Sequence, residues 1–387
     1  MNVLWLASWF PNRTNSTTGD FIERHAKAVA LFFKQLTVIA VIKDDAMGTN
    51  TVEITKHQTG NLTVYIAYYG NSRLKGIAGK ILSQQKYQQL QQQLFLQIVE
   101  TTGMPDMVHV HVAMKAGLFA SRLKKKYGIP YVVTEHWSGY FRESKPNIYE
   151  MGWVYRRLTN KVLKNASLLL PVTENLAETI TGNFVKLSYK VVPNVVDTRL
   201  FFYEPSQPEI FTFIHPSYMN YQKNPEGILE GCLILKKKGC RFRLYMIGAR
   251  PAALISLAKE YGLLDEYVFF EKEIPYSTVA RRMQQASALL LFSRYENLPC
   301  IILEALCCGL PVVSSRVGGV AEVIDSSNGL LVDKNSAEQL ANAMEEMINN
   351  YRNYNRASIA GKASSKFSYN SVGEMISEVY HQLLNKK

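Results

Sequence analysis

Short apolar runs alternate with longer amphipathic stretches along the whole chain. The runs have the length of strands, and several are apolar at every position, as in strands covered on both faces. Strands that alternate with helical patterns are typical of βαβ units and parallel sheets. The pattern predicts strands at 3–7, 36–41, 62–69, 107–111, 131–134, 211–215, 311–314 and 330–332, and helices at 21–33, 84–97, 116–127, 225–235, 336–349 and 371–384.

The length of the chain and a proline-bearing stretch indicate two domains. A chain of 387 residues exceeds one typical hydrophobic core. The pattern of the first half ends near Pro193, and Pro205 and Pro208 follow it. We therefore predict an N-terminal domain at 1–195, an interdomain linker at 196–208 and a C-terminal domain at 209–387.

The net charge is unevenly distributed. Residues 1–200 hold 24 Lys and Arg against 13 Asp and Glu, a balance of +11, whereas residues 201–387 hold 20 against 19, a balance of +1. Such a field attracts anionic lipid head groups, acidic saccharides or nucleic acid. Because the sequence contains no nucleic-acid-binding motif, we favour an anionic membrane surface as the partner and expect no nucleic acid.

Other features of composition favour a cytoplasmic protein. The five cysteines include the adjacent pair Cys307 and Cys308 and lack metal-ligand spacing, which indicates free thiols in a reducing compartment. Residues 1–10 have no basic start and are predicted to form a strand, not a signal peptide. No apolar run reaches eighteen residues, so no transmembrane helix is expected. We expect a cytoplasmic protein that is at most peripheral at the inner membrane face.

One basic amphipathic segment could make such a peripheral contact. Cations and apolar residues alternate between residues 73 and 86, namely Arg73, Lys75, Lys80 and Lys86 among Leu74, Ile77, Ile81 and Leu82. Segments of this kind lie at membrane interfaces, where each cation contributes about 1 kcal/mol near an anionic surface. A solvated helix face is the alternative interpretation.

The stretch from Ser293 to Val323 holds an acidic residue in an unusual setting. Glu304 lies in the apolar run 301–308, which is apolar on every helical face and therefore predicts a buried helix. Carboxylates are almost never fully buried without partners, and an unsatisfied acceptor costs about 1–3 kcal/mol or more. Glu304 must therefore meet donors, either from a ligand, such as a pair of hydroxyls, or from a structural ion pair.

The elements around Glu304 favour the ligand. An apolar strand ends at Ser293, Glu296 follows on a polar loop, and a helix begins near Cys300 with unpaired N–H groups that attract anions. Gly318 and Gly319 follow the next strand and permit the backbone to approach a ligand closely. Open α/β sheets bind nucleotides at the carboxyl ends of their strands, so we predict a nucleotide site at this edge.

These residues resemble the donor-site signature of retaining family 4 glycosyltransferases of the GT-B fold. The resemblance runs from Glu296 and Glu304 through residues 305–313 to Gly318, Gly319 and Glu322. It implies an α/β protein with two Rossmann-like parallel-sheet domains that face each other across a cleft, and a terminal helix at about 371–387 that crosses back to the first domain. It also implies that Glu304 holds the ribose of the nucleotide and that Glu296 contacts the transferred sugar.

The resemblance extends to further candidates. His136, just past the strand at 131–134, matches a histidine against the transferred sugar, so His136 and Glu296 are the catalytic candidates; a purely structural histidine is the alternative. Lys223 matches the diphosphate lysine. Ser217 or Tyr218 stands where many members carry Arg, so one cation of the usual pair is missing.

The remaining nucleotide-sugar candidates surround the same edge. Gly19 matches a glycine-bearing loop that faces the donor phosphates, although a plain helix N-terminus with Asp20 as the cap is an equal alternative. Arg250 could approach the phosphates from another loop. Lys272 stands where the family usually has a glycine beside the nucleotide base, so the identity of the base stays open. The last candidates form the turn before the buried helix, Asn297, Leu298 and Pro299.

No metal site is expected in the sequence. His109 and His111 share one face of a strand by its period of two, but no third ligand has suitable spacing. In the family these histidines are structural or line the cleft. No DxD motif fits the end of a strand, so the reaction should need no metal.

The sequence therefore predicts a retaining, metal-independent hexosyltransferase without a cofactor. It would move a hexose-type sugar from a nucleotide-diphosphate sugar to a saccharide or lipid-linked saccharide acceptor in surface polysaccharide biosynthesis, as in lipopolysaccharide or capsule assembly. Two alternatives stay open at this point. One is a GT-B sugar-nucleotide epimerase, and the other is a catalytically inactive saccharide-binding subunit.

Overall fold

The predicted strands lie in two separate sheets. The computed structural model describes residues 1–72, 74, 76–206 and 208–385. The seven-stranded sheet has the order β3-β4-β2-β1-β5-β6-β7, and the six-stranded sheet has the order β10-β9-β8-β11-β12-β13. All pairings are parallel except that of β3 with β4. The prediction of two parallel-sheet α/β domains is confirmed.

The first sheet and its helices occupy the N-terminal half of the chain. Apolar positions cover both faces of its inner strands, as the uninterrupted apolar runs predict. The strands are β1 Val3–Ala7, β2 Leu36–Lys43, β3 Val52–Thr59, β4 Leu62–Tyr69, β5 Met107–His111, β6 Tyr131–Glu135 and β7 Leu168–Pro171. The helices are α1 Asp20–Ala30, α2 Gly76–Thr102, α3 Gly117–Tyr127, α4 Trp153–Asn165 and α5 Glu174–Asn183.

The second sheet repeats this arrangement in the C-terminal half. Its strands are β8 Thr212–Ser217, β9 Arg243–Gly248, β10 Val268–Glu271, β11 Ala288–Leu291, β12 Val312–Ser315 and β13 Gly329–Val332. Its helices are α6 Pro225–Lys237, α7 Ala252–Glu260, α8 Tyr276–Gln284, α9 Cys300–Cys307, α10 Ala337–Asn350, α11 Arg356–Phe367 and α12 Tyr369–Leu384. Between α5 and β8 the chain forms no strand or helix among the described residues, and most of the predicted linker, 196–208, falls in this stretch.

The edge strand β3 was not predicted. It is the antiparallel edge of the first sheet, and its residues are mostly exposed or half-buried. Its sequence, VEITKHQT, contains too few apolar residues for a periodic signal, because only β4 covers it on one side. Edge strands rich in polar side chains resist pairing with other chains, which explains this composition.

The C-terminal helix crosses back to the first domain, as predicted. It begins at Tyr369 and packs along α1. Any Cβ at Gly373 would lie 2.4 Å from the carbonyl oxygen of Ala28, so the two helix backbones are in close contact there. At the far end, the hydroxyl of the buried Tyr380 accepts a hydrogen bond from Trp5 Nε1 at 3.1 Å. The helix therefore ties the end of the chain to the first strand.

Two further expectations concern membranes and thiols. In the described part of the chain, no helix is both long enough and apolar enough to cross a membrane. All five cysteines are free thiols, as their spacing predicts. Two of them, Cys240 and Cys300, are only partly buried.

Candidate active site

A cavity of about 710 Å³ lies between the two domains. The C-terminal domain contributes the carboxyl ends of β8 and β9 and the loop that leads from β10 into α8. The N-terminal domain contributes residues 16–17, from the loop after β1, and one side of α1. The cavity therefore lies at the sheet edge where the sequence predicts a nucleotide site.

Glu304 lies on the wall of this cavity. It is 3% exposed, in accordance with its apolar surroundings on α9. Its Oε1 accepts a hydrogen bond of 2.6 Å from the hydroxyl of Tyr276, and Nη2 of Arg24 lies 3.8 Å from the same oxygen. In the described chain Oε2 accepts no hydrogen bond. The carboxylate is thus partly satisfied by protein and retains one free oxygen beside the cavity.

Burial raises the pKa of Glu304, and the nearby Arg24 and the Tyr276 hydroxyl oppose that rise. An added hydrogen bond from a ligand would favour the ionised carboxylate further.

The helix α9 positions this carboxylate because of its sequence. Its first residue, Cys300, follows the N-cap Pro299, which offers no side-chain hydrogen bond, so the first N–H groups stay unpaired within the helix. Ile301 and Glu304 are three residues apart and therefore share a face, and both line the cavity. The other side chains of the helix are buried apolar residues that fix its orientation, namely Ile302, Leu303, Ala305 and Leu306.

Glu296 and Lys223 form an ion pair with each other. Nζ of Lys223 lies 2.5 Å from Oε1 of Glu296, which is 5% exposed. The same carboxylate accepts hydrogen bonds from Ser293 Oγ at 2.7 Å and Gln222 Nε2 at 3.2 Å. Of the described residues, the cavity lining includes neither Glu296 nor Lys223. The two candidates, assigned separate roles on the sugar and the diphosphate, are therefore joined in this structure.

His136 lies at the carboxyl end of β6, as predicted, and is 9% exposed. Its Nε2 lies 3.4 Å from Nδ1 of His111, and its ring centroid lies 4.6 Å from that of Phe21 and 5.2 Å from that of His25. Its Nδ1 is buried and has no hydrogen-bond partner in the described chain. Burial lowers the pKa of His136 well below its ordinary value, so the ring is neutral at physiological pH.

A neighbouring carboxylate, Glu135, was missed by the sequence reasoning. It is fully buried at the end of β6, and burial raises its pKa. It accepts hydrogen bonds of 3.0–3.1 Å from the N–H groups of Ala113, His136 and Trp137 and from the Tyr140 hydroxyl. Glu135 therefore fixes the backbone that carries His136. The available signal was its place at the end of the predicted strand 131–134, directly before a candidate residue.

The turn before α9 binds the two domains together. Asn297 accepts a hydrogen bond from Thr173 Oγ1 at 3.0 Å and donates one to the carbonyl of His136 at 3.1 Å. The carbonyl of Leu298 accepts a hydrogen bond of 2.7 Å from Asn194 Nδ2. Asn297 and Leu298 thus connect the sheet edge of one domain to that of the other.

Comparison with known families adds the decisive observation. Residues 198–364 match the family model of Glycosyl transferases group 1, and residues 80–200 match that of Glycosyltransferase Family 4. This chain is a GT4-type glycosyltransferase. The two matches adjoin at the crossing between the domains, so each domain of the glycosyltransferase is recognised by one of them.

Relatives of this glycosyltransferase have related descriptions. An uncharacterized glycosyltransferase of Methanocaldococcus jannaschii is 26% identical over 288 residues, which are 74% of this chain and 78% of that protein. The putative teichuronic acid biosynthesis glycosyltransferase TuaC of Bacillus subtilis is 23% identical over 365 residues, 89% of this chain and 88% of TuaC.

Solved structures confirm the predicted GT-B fold. Sucrose-phosphate synthase from Thermosynechococcus elongatus superposes with a TM-score of 0.77 at 16% identity, over 100% of both chains. Anabaena Alr3699/HepE in complex with UDP superposes with a TM-score of 0.70 at 16% identity, over 99% of this chain and 100% of that one.

The glycine pair of the signature serves domain packing in this glycosyltransferase. A Cβ on Gly318, whose φ is +50°, would lie 1.9 Å from the carbonyl oxygen of Glu296, and one on Gly319 would lie 2.1 Å from the Thr173 side chain. Nearby, Glu322 accepts hydrogen bonds of 2.8 Å from two N–H groups of the first turn of α5. The close approach expected for a ligand is thus made by protein groups.

Gly19 and Arg250 also lie outside the cavity lining, in which Glu304 is the one predicted site residue among the described residues. Gly19 is the N-cap of α1, where its φ is +71° and any Cβ would lie 2.7 Å from the backbone of Trp9, so only glycine fits. Asp20 is the first helical residue and not the cap, so that expectation is wrong. Arg250 is exposed after β9 and is not among the lining residues, although the preceding residues Ile247, Gly248 and Ala249 line the cavity.

The histidines of β5 share one face of the strand, as their spacing predicts, and that face lies in the interior. His109 and His111 are fully buried, with ring centroids 4.2 Å apart. His109 Nε2 lies 2.7 Å from Thr134 Oγ1. In the described part of the chain, no three His, Cys, Asp or Glu side chains form a group that could hold a metal ion. These rings therefore pack in the interior next to His136.

Proposed function

We propose that this glycosyltransferase is a retaining, metal-independent hexosyltransferase. It moves a hexose-type sugar from a nucleotide-diphosphate sugar to a saccharide or lipid-linked saccharide acceptor during surface polysaccharide biosynthesis. The observation that carries the proposal is Glu304. A buried carboxylate with one free oxygen, on the wall of a cavity of about 710 Å³ between two domains, suits the paired hydroxyls of a ribose.

The diphosphate belongs at the N-terminus of α9. The unpaired N–H groups of residues 300–301 and the helix dipole favour an anion there. Lys223 stands in the same domain as a compact cation and is only 16% exposed at its side chain. As the bond to the sugar breaks, negative charge develops on the leaving diphosphate, and preorganised donors of this kind stabilise it without a metal.

The sugar belongs between Glu296 and His136. The carboxylate of Glu296 suits sugar hydroxyls and the positive charge that develops at the anomeric carbon. A neutral His136 offers a hydrogen bond and no charge, because its burial lowers its pKa and disfavours the imidazolium. Closure of the two domains excludes water from a labile donor while the acceptor attacks.

The ligands and names of similar proteins support a nucleotide-sugar donor and a polysaccharide product. Alr3699/HepE was solved with UDP-glucose, and WaaB is a lipopolysaccharide outer core galactosyltransferase. TuaC is described as a putative teichuronic acid biosynthesis enzyme, and several other relatives as D-inositol 3-phosphate glycosyltransferases. These descriptions motivate the choice of UDP as the first nucleotide to test.

Binding and product analysis test the proposal together. We expect UDP, GDP or ADP to raise the melting temperature by about 3 °C or more at about 100 times its Kd. With the matching nucleotide-hexose and a lipid-linked saccharide, NMR of the product should show the donor's anomeric configuration, and EDTA should not reduce the rate. Inversion at the anomeric carbon, a requirement for a divalent metal, or release of a free sugar-nucleotide isomer without acceptor would each contradict the proposal.

We also propose that the start of α2 contacts an anionic membrane. Leu74, Ile77, Ile81 and Leu82 are 55%, 80%, 53% and 42% exposed, an arrangement unusual for large apolar residues. Lys80 is exposed among them. Two cations of the predicted segment, Arg73 and Lys75, lie outside the described residues.

Vesicle flotation measures this contact. Replacing Ile77 and Ile81 together with glutamate should lower binding to phosphatidylglycerol-containing vesicles by about tenfold or more, because it removes apolar area and adds repulsion. Leu96→Glu, an exposed apolar position near the other end of the same helix, is the control and should bind as the unchanged protein does. Equal flotation of the double variant and the control would remove the membrane assignment.

A further inference from the structure

Arg24 is an arginine that the N-terminal domain buries in the cavity between the domains. It lies on α1, is 5% exposed, and lines the cavity together with Glu304 of the other domain. Charged side chains are rarely buried to this extent without a full set of partners, because the loss of hydration costs several kcal/mol. The partners of Arg24 therefore indicate what the cavity is built to receive.

The guanidinium is only partly satisfied by protein. Among the described residues, its hydrogen bonds to oxygen come from Nη1 alone, which donates to Asp20 at 2.8 Å and to the Tyr276 hydroxyl at 3.1 Å. Nη2 lies 3.8 Å from Glu304, beyond hydrogen-bonding distance. Nε is buried and has no partner in the described chain. Nε and Nη2 form one edge of the guanidinium fork, which is the edge that binds two oxygens of a phosphate side by side.

The charges around the cavity make Arg24 the main cation available to an anionic ligand. Among the described residues that line it, the only cations are Arg24 and Lys27, and both belong to α1. Lys27 is 41% exposed at its side chain and pairs with Glu23 at 2.9 Å. The described part of the C-terminal domain contributes no cation to this lining, and its Lys223 is paired with Glu296.

Arg24 also lies beside the start of α9. Arg24 and Ile301, the second residue of that helix, line the same cavity. Arg24 also opposes the rise that burial causes in the pKa of the Cys300 thiol, the first residue of the helix. The N-terminus of a helix is where a phosphate group is most favourably held. One guanidinium thus adjoins both the carboxylate proposed for the ribose and the amides proposed for the diphosphate.

We propose that Arg24 binds the donor diphosphate across the cleft and acts as its second cation. The inference rests on the proposed function and adds the residue that completes the phosphate site. Ser217 and Tyr218, which occupy the expected place of an arginine, carry no charge, and the Tyr218 hydroxyl donates to Thr17 of the N-terminal domain at 2.9 Å. The N-terminal domain therefore supplies the missing charge, and donor binding holds the two domains together.

Comparing a nucleotide with its nucleoside isolates the phosphate contact. We expect Arg24→Gln to weaken UDP binding by about tenfold to a hundredfold, the usual effect of losing a charged hydrogen-bonding partner. Uridine, which lacks phosphate, should bind as before or more tightly. GDP with guanosine and ADP with adenosine are measured in parallel. Lys34→Gln, an exposed cation just after α1 that lies outside the cavity lining, is the control and should leave every affinity unchanged.

A second variant distinguishes loss of the phosphate contact from loss of folding. Arg24→Lys keeps the charge but not the fork, so it should recover part of the UDP affinity and leave uridine binding unchanged. If Arg24→Gln or Arg24→Lys weakens UDP and uridine equally, or if both variants bind UDP as the unchanged protein does, the inference is wrong while the proposed function stands. If the unchanged protein binds none of UDP, GDP and ADP, the proposed function and the inference both fail.

Discussion

Replacing Glu304 with alanine is expected to lower glycosyl transfer by about a thousandfold or more. The variant loses two charge-assisted hydrogen bonds to the ribose, each worth about 1.5–3 kcal/mol, in a site shielded from water. It also removes the partner of the Tyr276 hydroxyl and a negative neighbour of Arg24. The initial rate with the nucleotide-sugar identified by the binding panel measures the effect, and the melting temperature reports any loss of stability.

A graded series separates the ribose contact from structural damage. Glu304→Gln keeps an acceptor for Tyr276 and the volume of the side chain but loses the charge, so an intermediate loss of activity is expected. Glu260→Gln, an exposed carboxylate at the end of α7, is the control and should change neither rate nor stability. A folded Glu304→Ala variant with more than a tenth of the original activity would show that the ribose is held elsewhere.

The sequence predicted the elements whose signals are local. The strand at Met107–His111 has the predicted bounds, and its histidines point to one face because alternation along a strand depends only on neighbouring residues. Glu304 could be placed on a buried helix because the residues around it leave no polar face. Likewise, the position of His136 follows directly from the end of an apolar run.

The parts of the site that the sequence did not predict depend on contacts between residues far apart in the chain. Lys223 and Glu296 are separated by 73 residues, and no local pattern indicates that they pair. On the sequence, Arg24 is one more cation on an amphipathic helix, four residues after an aspartate. It becomes a buried residue only because α8, 252 residues away, closes over it with Tyr276. Domain contact creates that environment, and hydrophobic periodicity contains no information about it.

Hydrogen bonds connect the two domains on both sides of their junction. On one side of the domain junction, Asn297 and Glu322 connect the C-terminal domain to β6 and α5. On the cavity side, the connections are Tyr218 with Thr17 and Tyr276 with Arg24. The first set joins side chains to backbone groups, whereas the second consists of side-chain hydroxyls. Hydrogen bonds of similar length, 2.8–3.1 Å, therefore hold the domains together on both sides.

Lys223→Ala is expected to lower kcat by about a hundredfold to a thousandfold, the usual consequence of removing one preorganised group from a developing negative charge. Because Lys223 and Glu296 form one ion pair at 2.5 Å, their effects should not add. Lys223→Ala leaves Glu296 buried with only the neutral donors Ser293 and Gln222, so it should also lower the melting temperature. The double variant with Glu296→Ala should be no slower than the slower single variant.

The surface pair Lys238 and Glu345 provides the control for this cycle. It has the same separation of 2.5 Å in the same domain, but both side chains are about one third exposed. Lys238→Ala and Glu345→Ala should therefore keep the rate within about twofold, since exposed pairs contribute about 1 kcal/mol or less and only to stability. If the losses from Lys223→Ala and Glu296→Ala multiply in the double variant, the two residues act independently on the donor. In that case Lys223 must separate from Glu296 before the reaction, and the ion pair exists only in the protein without its substrate.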